Sequence, residues 1–246
     1  MTSSEDFSVF YGINELHRLN TAISIAFDTE TLQLQPEKGK LRLIQLGCYV
    51  TKTIVIIDCF DLTEKDWNKL DSFFNNGDRY WLAHNAVFDI AWLQEQGIFI
   101  RGFVQCSMLA SRLLTNGIPK AKHGLANLAK RHLNIDISKE QQTSNWGDPN
   151  LSEEQLVYAA KDIEVLLQLD QILSSKLSKA ELLPAFRLEC RALPAMAQMW
   201  RTGLPWNAEA LEEYKADKEF DVKEMGKEFI MELDKKLPEG KKLPRE

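Results

Sequence analysis

Four acids and a tyrosine are the residues of this chain best placed to do chemistry. They are Asp28 and Glu30 in Phe27-Asp28-Thr29-Glu30-Thr31, Asp89 at the end of His84-Asn85-Ala86-Val87-Phe88-Asp89, and Tyr158 with Asp162 in Tyr158-Ala159-Ala160-Lys161-Asp162. All four carboxylates follow or sit within apolar segments expected to be buried. Burying a carboxylate is unfavourable unless positive charge compensates it. For four acids together the simplest compensation is a pair of hard divalent cations, and two-metal sites recur in phosphodiester cleavage. Structural ion pairing is the alternative, but only Lys161 adjoins the motifs, and it points off the helix face that carries Tyr158 and Asp162.

Spacing lets these groups meet. Asp28 and Glu30 are two apart on a predicted strand, so both side chains leave one face. Tyr158 and Asp162 are i and i+4 on a predicted helix. Either pair alone is commonplace, as a strand end meeting solvent or as a buried tyrosine bonded to an acid. Asn85-x-x-Phe88-Asp89 says more, because polar Asn and Asp flank an otherwise apolar strand-to-helix junction.

The elements that must hold them follow from periodicity. Ala22 to Asp28 alternates, with Ile23, Ile25 and Phe27 on one face and small residues on the other, where a helix can approach closely. Strands are predicted over Leu41 to Val50, Thr53 to Cys59 and Tyr80 to His84, with a turn over Gln35 to Lys40. Helices are predicted from the Thr63 N-cap to Phe74, Val87 to Gln96 with Gly97 ending it, Ser107 to Leu114 and Gly124 to Leu133. Ser152-Glu153-Glu154-Gln155 is a capping box with a Leu151/Leu156 staple, and the helix it starts runs past Leu173. Two stripes along it (Leu156, Ala160, Ile163, Leu167 and Tyr158, Asp162, Val165, Leu169) imply burial on much of its circumference. Strands first and helices interleaved later indicate an α/β fold with a mixed sheet. After Leu177 the character changes: Glu181 to Trp200 reads as a helix despite Pro194, Gly203-Leu204-Pro205 breaks it, and Asn207 to Leu237 is a charged helix with a sparse, exposed apolar stripe. The closing Gly240 to Glu246 reads as a cut inside a longer protein.

The 246 residues carry a net charge of −6. That does not indicate a nucleic-acid binder by bulk electrostatics, but a site that gathers acids for metals lowers the total. Lys120, Lys122, His123, Lys130, Arg131 and His132 cluster locally, as a solvated face or, if the chain is a nuclease, as a phosphate-tracking patch. No secretory signal or membrane span is visible. Cys48, Cys59, Cys106 and Cys190 are widely spaced and read as reduced and buried, which suits the cytoplasm.

The order of the motifs, an acid pair on the first strand, an Asp after a short strand, then Tyr and Asp on a late capped helix, resembles the DEDD exonuclease superfamily in its tyrosine-bearing branch. The histidine branch carries its base five residues before the last Asp, where this chain has Val157. Leu41-Arg42-Leu43-Ile44-Gln45-Leu46-Gly47, His123 to Ala129, and Trp146 followed by Leu151 to Ala159 are similar to both ribonuclease D and the proofreading domains of family A DNA polymerases. Leu188 to Leu204, a helix ending in Met-x-x-x-Gly, resembles the joint between exonuclease and polymerase. The resemblance covers Ser24 to the end of the chain; it departs from the family in that the exonuclease segment begins almost at Met1, as expected of phage- or organelle-type polymerases or of a trimmed chain.

The resemblance implies a ribonuclease H-like (DnaQ-like) exonuclease fold over 1–177, a mixed sheet flanked by helices, with a C-terminal helical extension over 178–246 that begins a polymerase domain. It implies two divalent cations, Mg²⁺ or Mn²⁺, roughly 3.5–4 Å apart, held by Asp28, Glu30, Asp89 and Asp162, with Tyr158 orienting the attacking water. It implies substrate contacts from Asn85, Leu34, Phe88 and Thr29. Leu34 matches an apolar wedge against the terminal base, or is an ordinary loop-edge leucine; Trp146 reads as a core or loop anchor. The implied activity is removal of nucleoside 5′-monophosphates from single-stranded or frayed DNA 3′ ends, proofreading for a covalently linked polymerase in the cytoplasm of a bacterial or phage-infected cell or in an organelle. The alternatives are a ribonuclease D-like exoribonuclease and a catalytically silent nucleic-acid-binding domain.

Overall fold

Everything in the sheet is arranged around strand β2 (Ser24–Thr31). In the computed structural model, which describes residues 7–138, 141, 144–238 and 241, β2 pairs antiparallel with β3 (Leu41–Cys48) on one side and parallel with β5 (Tyr80–Ala83) on the other. β4 (Thr53–Asp58) extends the antiparallel side and β1 (Ser8–Tyr11) closes it, while β6 (Phe103–Cys106) forms the other edge, giving the order β1-β4-β3-β2-β5-β6. The mixed α/β architecture is the one the sequence indicated. Pairing of β2 with β5 stops at Ala26–Leu82, so the second half of β2 runs beyond the end of its parallel neighbour.

Both faces of the sheet are covered. Ile25, Phe27, Ile44, Leu46, Val55, Ile57 and Trp81 face the larger core with α1 (Glu64–Phe74) and α2 (Val87–Glu95), where the Phe74 and Trp81 rings stack at 4.7 Å. On the opposite face Ala26, Leu43, Ile54, Ile56 and Leu82 lie under α5 (Glu153–Lys179). The two stripes read along α5 serve different cores: Ala160, Ile163 and Leu167 pack on the sheet, while Val165 and Leu169 join the larger core. The small face of β2 does admit a close helix, because a Cβ on neighbouring Gly47 would stand 2.3 Å from Ile163 Cγ2.

The capping boxes at Thr63 and Ser152 are both formed. Three details differ from expectation. Ile23 precedes the strand and is 67% exposed, whereas β2 runs on to Thr31 and so includes Glu30. Strands β1 and β6 are four-residue edge strands, too short to show alternation, and β6 passes directly into α3 (Ser107–Leu114) without a turn signal. Helix α6 (Leu183–Thr202) buries Phe186, Cys190, Leu193 and Ala197 in the larger core and packs against α2, so the unit that began with β1 continues past residue 177 and ends at Thr202. Pro194 is tolerated inside α6, and its carbonyl accepts a hydrogen bond from Gln94 Nε2 at 3.2 Å.

Residues from Gly203 form a second unit. Its helix α7 (Ala208–Asp234) is capped by Asn207 and exposes Tyr214, Met225 and Phe229. The closing stretch read as a cut lies, apart from Lys241, outside the described residues. No described helix is long and apolar enough to cross a membrane. All four cysteines are free and buried.

The Gly47–Ile163 contact gives a packing test. Gly47→Ala is expected to cost about 1–3 kcal/mol, as overpacking does, and to lower Tm by several degrees. Thermal melts of Gly47→Ala, Ile163→Ala and the double variant check this: the double variant should lose less than the sum, since the two residues contend for one space.

Candidate active site

Alternation along β2 sends Ala26, Asp28 and Glu30 toward α5, and Phe27 and Thr29 toward α2. From α5, Asp162 meets the strand pair: one carboxylate oxygen each from Asp28, Glu30 and Asp162 lie within 4.8 Å of one another. Asp89 arrives in the first turn of α2, which can reach this point because β2 outruns β5. There the Thr29 hydroxyl donates to Asp89 Oδ1 at 2.7 Å. The turn between β5 and α2 passes through Asn85, whose φ of 58° is left-handed, a region that Asn adopts more readily than most residues.

Tyr158 stands one turn before Asp162 on the same helix face, near enough for that carboxylate to help raise its phenol. Its ring packs beside Trp146, with centroids 6.5 Å apart, and Trp146 is buried in the smaller core as an anchor. The loop before α5 is held by Arg42, which is fully buried on β3. Arg42 donates to the carbonyls of Asp148 (2.6 Å) and Pro149 (3.1 Å) and pairs with Asp58 at 2.8 Å. The start of the helix that carries Tyr158 and Asp162 is thereby fastened to the sheet that carries Asp28.

The electrostatics are dominated by burial without compensation. Asp28 and Glu30 are held well above the carboxylate range, first by desolvation and then by repulsion from the other acids. Burial lifts Asp89 to about 7 and Asp162 to about 6. Burial, then the adjacent carboxylates, raises the Tyr158 phenol, so it stays protonated at neutral pH. Among the described residues the candidate cations are engaged elsewhere: Lys161 with Glu164 at 2.9 Å and Arg42 with Asp58. The donor set is oxygen only, which suits Mg²⁺ or Mn²⁺ rather than zinc, and its surplus negative charge is what such ions neutralise. The residues present therefore fit a divalent-metal centre.

All five groups line one cleft of about 600 Å³. Thr29, Leu34, Asn85 and Phe88 line it as well. Leu34 is 76% exposed at the rim, on a loop pressed against α2, where a Cβ on Gly39 would stand 2.5 Å from the Trp92 ring. Thr29 lines the cleft with its hydroxyl already given to Asp89. One residue the sequence reading did not single out is Gln45, directly across the ladder from Asp28, fully buried, and without a hydrogen-bond partner for its amide among the described residues. Its signal was a lone amide inside the apolar strand Leu43-Ile44-Gln45-Leu46.

A model of the 3′-5′ exonuclease family matches residues 7–178. Among curated relatives, ribonuclease D of Haemophilus influenzae is 32% identical over 70% of this chain and 41% of its own length. DNA polymerase I of Aquifex aeolicus is 32% identical over 63% of this chain and 24% of its own. The chain thus spans less than half the length of either. Among solved structures, Brucella melitensis NrnC bound to pGG is 25% identical, with a TM-score of 0.69 over 80% of this chain and 95% of that one.

The raised carboxyl at Asp89 has a stability consequence. A group that titrates near 3.8 when unfolded and near 7 when folded favours the folded state at acid pH, and that advantage disappears as pH rises toward 7. In EDTA, Asp89→Asn is therefore expected to gain Tm relative to the unsubstituted chain between about pH 4 and pH 7. Paired melts across that interval check it, and a difference that does not change with pH would show that the carboxyl is not raised.

Proposed function

Because the chain belongs to the 3′-5′ exonuclease family, we propose that it is a metal-dependent exonuclease removing nucleoside 5′-monophosphates from single-stranded or frayed DNA 3′ ends, and that it proofreads for a linked polymerase. The observation that carries the metal-dependent reading is the meeting of Asp28, Glu30 and Asp162, beside Asp89 and Tyr158, in one cleft with no cation among the described residues to balance them. Asp28, repelled by Asp89, Glu30 and Asp162 alike, is the acid that would be shared between two ions. Glu30 and Asp162 would hold an ion together with Asp28, and Asp89 would help hold a second. When bound, such ions ease deprotonation of a water and stabilise charge on the leaving 3′ oxygen.

The protein's own groups position the reactants. Thr29 fixes one oxygen of Asp89 through its hydroxyl. Tyr158, protonated and beside Asp162, is a hydrogen-bonding guide for the attacking water rather than a base. Leu34 and Phe88 offer apolar surface to the terminal base and Asn85 offers an amide to the strand. A frayed end is favoured because it needs less unpairing to reach the cleft.

The polymerase I relative and the resemblance of the Leu188 to Leu204 segment support DNA as substrate. The ribonuclease D relative, at equal identity over a longer stretch, supports a second reading: an exoribonuclease, which would need a contact sensing the 2′-OH.

Matched 5′-labelled DNA and RNA strands incubated with Mg²⁺, Mn²⁺ or EDTA test both. The expected result is a metal-dependent ladder, faster on DNA, abolished by Asp28→Ala or Asp162→Ala. A faster RNA ladder moves the chain to the second reading, and undiminished cleavage by those variants sinks the metal site. Tyr158→Phe removes the hydroxyl proposed to guide the ionising water, a hydrogen bond to a developing charge worth about 1.5–3 kcal/mol. It should slow turnover roughly ten- to hundredfold while Mn²⁺ titration calorimetry shows nearly unchanged binding.

A further inference from the structure

Resting on the exonuclease reading, we propose that the basic surface formed by the α3–α4 loop, α4 (Leu125–Leu133) and the end of α5 is a track for the strand 5′ of the scissile bond. The cleft does not end at its acids. Ala126 and Ile137 line it and also line an adjoining groove of about 750 Å³ that carries Lys120, Lys122, Lys130 and Arg131. Thr115 and Arg131 in turn belong to a second groove of about 480 Å³, where His132, Lys176 and Lys179 stand. The three depressions share walls in sequence, acidic at one end and basic along the rest.

The charge is available. Asp136 is the one acid among the described residues lining the two grooves, and Lys130 holds it at 2.6 Å. Arg131 donates to the Lys122 carbonyl and Lys176 to His132 Nδ1, at 2.6 and 2.9 Å, so their positive charge is not cancelled by those contacts. Burial, then the nearby Lys176 and Arg131, holds the His132 imidazole below its ordinary range, consistent with its accepting from a lysine. Helix dipoles account for part of this: cations in the last turns of α4 and α5 complement the C-terminal carbonyls. They do not account for Lys120 and Lys122, which lie in the loop before α4 and face the same groove. On a chain of net charge −6, a continuous basic path that leads away from a phosphodiester-cleaving site fits a polyanion with one charge per residue, the backbone of a single nucleic-acid strand.

The order of the grooves makes the idea testable. Fluorescence anisotropy with 5′-labelled single DNA strands of about 4 to 16 nucleotides, the range single-strand binders cover, is measured in EDTA between 50 and 200 mM salt. Lys120→Gln/Lys122→Gln is expected to weaken binding from short lengths onward. Lys176→Gln/Lys179→Gln is expected to spare the shortest strands and weaken the longer ones. Each pair should flatten the slope of log affinity against log salt by about 1.4, twice the roughly 0.7 lost per phosphate contact on a single strand. If both pairs keep the unsubstituted affinity and slope at every length, the lysines only solvate the surface and the track is refuted. If the distal pair weakens the shortest strands as much as the longest, the direction of travel is wrong. Because no turnover occurs in EDTA, failure of the exonuclease reading shows separately, as intact binding without any metal-dependent shortening of the strand.

Discussion

The carboxylate cluster at the end of β2 is electrostatically unfavourable in the protein alone, and the architecture around it resists that repulsion. Once ionised, four carboxylates gathered in a low-dielectric cleft would spread apart or draw in water if their supports were soft. The supports are not loops. Asp28 and Glu30 are fixed by the ladder with β3, Asp162 by a helix pressed onto that ladder at Gly47, and Asp89 by the first turn of a helix that fills the space where β5 stops short. Helix α6 braces α2 from outside through the Gln94–Pro194 hydrogen bond and the Arg201–Glu95 ion pair at 2.9 Å. The geometry a metal requires is thus set by core packing.

Side-chain chemistry in this chain was more legible than chain topology. The acids, the tyrosine and the capping box could be read because each is a polar exception within an apolar segment, and because alternation and the i, i+4 rule determine where such exceptions point. The edge strands β1 and β6 could not be read so, since four residues hold too little periodicity and edge pairing depends on partners far away in sequence. Position 177 marks a change in composition, yet α6 belongs with what precedes it. Its four buried residues recur at helical spacing on one face, but exposed Leu188, Met196 and Met199 add apolar residues on others, and the partner that this face packs on is far away in sequence. Gln45 is a related case: a buried amide is visible in the sequence, but its place opposite Asp28 depends on strand register.

Arg42 shows how far the support extends. A fully buried guanidinium would be a liability if unpaired. Here it joins Asp58 at the end of β4 to two carbonyls of the loop that delivers α5. This buried cation of the sheet therefore serves the scaffold, while among the described residues the acids of the cleft are left without one.

Asn85 is constrained twice over. Its left-handed backbone lets β5 turn into α2 so that Asp89 falls beside Thr29, and its amide is the neutral polar group offered at that point of the cleft rim. Glycine would keep the turn and lose the amide; aspartate would keep the turn and much of the shape but add a fifth carboxyl group to a place that already holds four. Neither ordinary replacement preserves both properties, so substitution there alters either the path of the chain or the field that the metals and the incoming phosphates meet.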